Sequence, residues 1–363
     1  MKLEARKYNT IIKRGAMLLV LSGMAMSLSG CSVVYNAQGL TPDNDGGVFK
    51  SANKGNTWAQ KTLFASLAGK ALNIRGLDVN TLEMDPSDPL TLYLGSLENG
   101  LYYTYDQGET WQASGRLGKI KVNSLAVDPN SKCVLYAATQ NQLYKSTDCG
   151  RFWDQAYFDN DPSIQVSSVA VNPGQSAQIF IATSRGEVIK SADAGKTWRT
   201  AGRLEKNILK IVISPQSPNI IFAGTASNGL FRSKDYGESW ENLNSRLKEF
   251  QDNNQFRDLS FSRSDSGTVF LANHYGLLKS TDNGDNWTNI KLITPKEAAT
   301  INAIAVNPAK SSELYYVTNT TFYHSTDGGE NWSSKKLPGS RMGWKLVIDP
   351  DNPNTVYLGM KKK

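Results

Sequence analysis

Seven copies of one short hairpin, almost evenly spaced, constrain this chain more than any other feature. Aligned on tryptophan, the first four read GGVFKSANKGNTW to Trp58, GLYYTYDQGETW to Trp111, QLYKSTDCGRFW to Trp153 and EVIKSADAGKTW to Trp198. The last three are GLFRSKDYGESW to Trp240, GLLKSTDNGDNW to Trp287 and TFYHSTDGGENW to Trp332. Successive tryptophans stand 53, 42, 45, 42, 47 and 45 residues apart. A period of roughly 40–50 residues is that of a four-stranded propeller blade. An apolar-aromatic strand such as Leu143-Tyr144-Lys145 runs into Ser-x-Asp-x-Gly, where the carboxylate accepts N–H bonds within the turn and glycine supplies positive φ. The tryptophan opens the next strand and buries a ring of ~200 Å². Gly and Trp are kept in all seven copies; Asn53 once replaces the Asp, Thr104 once the Ser, and Phe152 the usual small polar residue before Trp.

A second motif precedes each hairpin. Leu125-Ala126-Val127-Asp128-Pro129, Val169-Ala170-Val171-Asn172-Pro173 and Ile304-Ala305-Val306-Asn307-Pro308 show period-2 alternation closed by a proline turn. Equivalent strands start near Leu82, Ile211, Leu259 and Leu346. Each unit therefore reads strand A, turn, B, loop, C, Asp turn, D. The chain opens on a C–D hairpin and closes on an A–B pair, so seven blades result only if the two ends share one. The expectation is an all-β, seven-bladed propeller of four-stranded antiparallel blades over residues 46–360, with C-terminal A–B strands joining N-terminal C–D strands. Such closure removes free sheet edges.

The N-terminus reads differently. Basic residues in 1–14 precede an apolar run, Gly15 to Met26, of about 12 residues, too short to span a bilayer and suited to a signal h-region. Leu28-Ser29-Gly30-Cys31 then matches the lipobox of bacterial lipoproteins, with Cys31 as the acylated residue. Residues 1–30 are expected to be the signal peptide, 31–45 a flexible tether reaching ~45–50 Å when extended, and 361–363 a basic tail. Two or three acyl chains anchor a protein durably. The expected location is exported and membrane-anchored, on the periplasmic side, with the outer membrane favoured in a diderm host because Ser32 rather than Asp follows the cysteine. The formal charge of +7 divides into +4 from the leader and three from Lys361, Lys362 and Lys363, leaving a neutral body. That argues against nucleic acid as a partner.

The hairpins resemble Asp-box, or BNR, repeats, found in sialidases, xyloglucan-active glycosidases, sortilin-type receptors and the photosystem II assembly factor of thylakoid lumens. The resemblance implies that Asp106, Asp148, Asp193, Asp235, Asp282 and Asp327 are structural. It is closest in layout to the assembly factor, which implies an arginine-bearing face used for client binding.

On that face, formed by the D–A and B–C loops, Arg75, Arg116, Arg185, Arg203, Arg257, Arg341 and Lys345 recur with Tyr275 and Trp344. Arginine interleaved with aromatics is the composition of protein-binding hot spots. Asp78, Glu98, Asp252 and Asp258 share the face. Residues expected at the channel mouth are Asn80, Asn123, Ser167, Leu209, Arg257, Asn302 and Trp344. Between Glu241 and Gln255, Leu243, Leu247 and Phe250 have the spacing of a short helix.

No Arg-Ile-Pro segment, Gly-x-Ser-x-Gly elbow, His-Glu-x-x-His or phosphate loop occurs, and one propeller lacks the two-propeller cleft of a xyloglucan-type glycosidase. With two histidines, a histidine metal cluster is not expected, and no cofactor or metal is. Cys133 and Cys149 fall on one face of one blade, a candidate disulfide in an oxidising compartment. The expectation is a monomeric, non-enzymatic scaffold or assembly factor that binds a membrane-protein client, with the bilayer engaged through acylated Cys31. The alternative is a carbohydrate-binding or sialidase-like glycoside-hydrolase surface protein.

Overall fold

The computed structural model describes residues 44–64, 73–115, 117–250, 254–294 and 300–363. Among these, 28 strands form seven four-stranded antiparallel sheets, and no helix is long and apolar enough to cross a membrane. Six sheets run A-B-C-D in chain order. The seventh pairs Met342–Ile348 and Val356–Lys361 with Gly47–Ser51 and Ala59–Lys61, so strands from the two ends complete one blade. Its central register places Phe49 opposite Leu358 and Ser51 opposite Val356.

The repeated motifs account for the blades locally. In the hairpin of Gln142–Ser146 and Asp154–Phe158, Ser146 Oγ accepts the Gly150 N–H at 2.9 Å, while Asp148 Oδ1 accepts those of Phe152 and Arg151 at 2.9 and 3.1 Å. Two consecutive residues enter the left-handed region in every copy, for example Ala194 (φ 61°) and Gly195 (φ 91°). Only the second of these is glycine in all seven copies. The proline turns between A and B are held by side chains as well. Asp85, Asp128, Asn172, Asn307 and Asp349 each accept the N–H two residues on. Ser214 and Ser262 substitute by accepting the N–H three residues on.

Packing between blades explains the repeated tryptophan. Trp111 is fully buried and its indole N–H reaches the Lys61 carbonyl of the preceding blade at 2.9 Å. Trp198 and Trp332 make the same link to Ala156 and Lys291. At closure, Trp58 meets Phe322 edge-on at 5.3 Å, and Lys54 pairs with buried Glu313 at 2.8 Å. Lysines of the hairpin motif are structural too: Lys50, Lys145, Lys190 and Lys279 lie 5.5–5.8 Å from the ring centroids of Tyr357, Tyr136, Phe180 and Phe270. Cys133 and Cys149 are joined as a disulfide, with Cys149 N–H donating to the Cys133 carbonyl at 3.1 Å.

The segment after Glu241–Asn242 differs from expectation. Leu243, Leu247 and Phe250 are buried in one core cluster, but the backbone forms successive turns rather than a helix. Leu247 N–H is shared between the carbonyls of Leu243 and Asn244, and Phe250 N–H goes to Leu247 three residues back, so the i→i−4 ladder never propagates.

Candidate functional site at the loop face and channel mouth

Seven A strands line a central channel of about 1230 Å³. In five A–B pairs the register slips near the start of strand A, between Val79 and Thr81, Val166 and Ser168, Ile208 and Lys210, Phe256 and Asp258, and Gly343 and Lys345. Each bulge frees one residue from the ladder: Asn80, Ser167, Leu209, Arg257 and Trp344. With Asn123 and Asn302 these make the mouth.

Most of that ring is occupied in joining blades. Asn80 Nδ2 donates to the Val122 carbonyl (2.8 Å), Asn123 Nδ2 to Val166 (2.9 Å), and Asn302 Nδ2 to Gly343 (2.9 Å). Ser167 Oγ donates to Ile208, and Trp344 Nε1 to the Asn80 carbonyl at 3.2 Å. Leu209 and Arg257 are the exceptions. Leu209 is 42% exposed, and the exposed Arg257 guanidinium has no partner among the described residues.

One residue further along each strand a second set faces inward. Ser124 and Ser168 Oγ accept the N–H of Val169 and Ile211 on the following blade. Asp258 does the same for Ile304 at 2.9 Å, while its other oxygen receives Lys210 Nζ at 2.6 Å and the Leu259 N–H at 2.9 Å. Burial opposes ionisation of Asp258, but Lys210 and Lys345 override it and hold the carboxyl below its usual range. Glu83, on the opposite side of the channel, is pushed the other way by burial, tempered by Lys210 and Lys345. Burial lowers the Lys345 ammonium, and burial together with Lys121 and Lys345 brings Lys361 down to about 8.

The expected site residues separate into distinct environments. Arg203, with a side chain 73% exposed, and Arg185 share Glu187 at 3.3 and 3.0 Å, and Arg185 also meets Asp159 and Asp161. Arg257, Trp344 and Lys345 gather at the channel, whereas Arg75 is half-buried beside the N-terminal strand. Two residues do not belong on a binding surface. Arg341 is 3% exposed: its Nε meets Asp45 Oδ1 at 3.1 Å, and its Nη1 meets Asp78 Oδ1 at 2.8 Å and the Leu77 carbonyl at 3.1 Å. Tyr275 is 8% exposed and packs edge-on against Phe250 at 5.3 Å. Both are internal because the loops they sit on fold back over neighbouring segments. Arg116 and Cys31 lie outside the described residues.

The Asp-box carboxylates are on the other face and are fully engaged. The Thr197 hydroxyl and N–H hold Asp193 at about 2, and the Asn331 N–H and side chain do the same for Asp327. At Asp282 burial acts against ionisation but bonds from Asn286 and Ser280 still bring it to about 2. Bonds within the turn likewise lower Asp106, Asp148 and Asp235 against the opposing effect of burial.

Composition and local pattern did not single out Glu83, Lys121, Lys210, Arg263 or Lys361 as channel residues. Aligning the seven A strands at a fixed offset from the mouth ring would have shown Glu83 alone among Ala126, Ala170, Val212, Ser260, Ala305 and Val347.

Two family models match the chain: the photosynthesis system II assembly factor YCF48 over residues 203–340, and the BNR/Asp-box repeat over 102–113. Among curated relatives, the xyloglucanase Xgh74A of Acetivibrio thermocellus is 30% identical over 182 residues, 48% of this chain but only 19% of that protein. The chain thus matches less than a fifth of that relative's length. Among solved structures, the GH74 xyloglucanase of Xanthomonas campestris superposes with a TM-score of 0.63 at 18% identity, covering 78% of this chain and 51% of that one. YCF48 bound to a D1 peptide superposes with a TM-score of 0.61 at 15% identity, covering 78% and 92%. At these identities the structural likeness establishes the fold.

The expectation that this chain is not an enzyme is corrected by these relatives. Xyloglucanases share 30% of the aligned residues, so the want of familiar motifs does not exclude glycosidase activity. Glu83 and Asp258, far apart in the sequence, also face one channel from opposite sides once the ring is closed. Fold, repeats and comparisons together identify a seven-bladed propeller built on Asp-box hairpins, similar to both YCF48 and the GH74 xyloglucanases.

Proposed function

We propose that this chain is an exported propeller, anchored through acylated Cys31, that binds a protein client on the loop face around its channel mouth. The observation that carries this reading is the break in the mouth ring. Where other members tie blades together, Leu209 and Arg257 are exposed and unengaged, and the indole of Trp344 lies in the same ring. An unpaired guanidinium beside apolar and aromatic surface suits a peptide with an acidic or polar segment. Similarity to YCF48, solved with a D1 peptide bound, supports it. A scaffold for a membrane complex is the role this layout serves best.

The test is cross-linking in the native membrane, then purification and partner identification, beside an Arg203→Glu/Arg257→Glu variant. Arg341 is left intact because it is internal. A defined membrane-protein partner lost in the variant supports the reading, and an unchanged partner set refutes it.

A second reading, glycan hydrolysis, is favoured by the xyloglucanase relatives and by the opposed titration of Glu83 and Asp258. A carboxyl raised by burial and another lowered by neighbouring lysines are shifted apart in the sense that an acid and base pair for such chemistry requires. Release of reducing ends from xyloglucan, abolished by Glu83→Gln, would establish it.

A further inference from the structure

The channel carries more cations than its own carboxylates balance. Lys121, Lys210, Arg257, Arg263, Lys345 and Lys361 line it against Glu83 and Asp258. Asp258 is bonded by Lys210 and two backbone N–H groups, and Lys345 shares its charge and that of Glu83, which leaves two carboxylates against six cations. Lys121, Lys345 and Lys361 line this one channel. The Lys361 ammonium sits 3.7 Å from the centroid of the Trp344 ring, and Lys121 and Lys345 act on it directly as like charges. The one carboxylate acting on Lys361 is Asp78, whose Oδ1 already receives Arg341 Nη1 at 2.8 Å and the Lys362 N–H at 2.6 Å.

We propose that Lys121, Lys345 and Lys361, with the Trp344 ring beneath and Arg257 two blades round the mouth, bind a small polyvalent oxyanion, a phosphate or a di- or tricarboxylate. Crowded ammonium groups in a partly desolvated cavity repel one another, and a ligand with several charged oxygens converts that repulsion into charge-assisted hydrogen bonds. The walls suit such a ligand because the mouth is cross-linked blade to blade by Asn80, Asn123, Asn302 and Trp344, so the cations are held on a rigid frame. A neutral polysaccharide has no use for this charge. The site shares Arg257 and Trp344 with the client reading but does not depend on it, since a free anion binds whether or not a protein docks on the same face.

Calorimetric titration of the purified propeller with pyrophosphate, and separately with citrate, at low ionic strength tests the proposal and tells the two oxyanion chemistries apart. At least one is expected to bind saturably, one to one, with a submillimolar Kd. At pH 8, binding should take up protons, read as a dependence of the heat on buffer ionisation enthalpy, because the anion raises an ammonium that is only partly protonated there. The titratable groups facing it are Asp78, Lys121 and Lys345. Lys121→Ala/Lys361→Ala should weaken binding about tenfold or more, whereas Lys119→Ala, exposed on the same loop but off the channel, should leave it unchanged. Thermal melts confirm that each variant is folded. Absence of saturable heat with both anions to about 10 mM, or equal affinity in a folded double variant, overturns the proposal.

Discussion

Replacing Arg341 with Met should destabilise this propeller far more than any other single arginine on the loop face. Its guanidinium joins three parts of the chain: Asp45 before the first strand, the Gly76–Asp78 segment, and its own loop ahead of the last A strand. Asp45 is fully buried and also accepts the Ser340 hydroxyl at 2.8 Å. Removing one partner of a buried, hydrogen-bonded pair leaves a charge without compensation, at a cost of about 3–5 kcal/mol. With a urea m-value of about 3 kcal/mol/M, the midpoint should fall by about 1–1.7 M. Arg203 is the contrast, an exposed partner of Glu187 whose loss should cost under about 1 kcal/mol. Urea unfolding of both variants, followed by tryptophan fluorescence, gives the comparison. A double-mutant cycle with Asp45→Asn should return a coupling of about 2 kcal/mol or more. Equal midpoints for Arg341→Met and Arg203→Met would refute the clamp.

Three further outcomes follow from the turns and the closure. Ala194→Gly, at a left-handed position whose side chain gains nothing from it, should raise stability by about 0.5 kcal/mol, read as a shifted urea midpoint. Glu313 is held at about 2 because bonds from Lys54, Tyr315, Asn307 and His324 outweigh its burial. Its folded-state value is depressed, so its contribution is present above the unfolded value of about 4.3 and lost as pH falls toward 2. Thermal melts across that window should show a shallower acid limb in Glu313→Gln than in the wild type. Replacing both Cys133 and Cys149 with Ala opens a cross-link of sequence separation 16 and should cost about 3 kcal/mol in chemical denaturation, while oxidised and reduced forms of the double variant become indistinguishable.

Much of the fold was legible because its determinants are local and repeated. The Ser-x-Asp-x-Gly turn, the Asx-Pro turn and the tryptophan each act within a few residues, and seven copies fix the period. Even the shared blade followed from which strands the chain begins and ends with. The site was less legible because it depends on closure. Arg341 and Arg257 read alike as arginines preceding an A strand, yet one is locked under Asp45 and the other has no partner among the described residues. Tyr275 looked like a surface aromatic until the turns around Phe250 folded over it. Lys361 belonged to a basic tail by composition, but it ends a strand whose register with Met342 carries it to the channel mouth. Glu83 and Asp258 are 175 residues apart, and no local pattern relates them.

On the proposed function, the loop face is the face that meets a client. Photo-cross-linking residues placed at Leu209, on the channel mouth, and at Lys196, in an Asp-box turn on the opposite face, test this in the native membrane. The prediction is a discrete adduct with one membrane protein from position 209 and none from position 196. The same adducts from both positions, or an adduct from 196 alone, would contradict it.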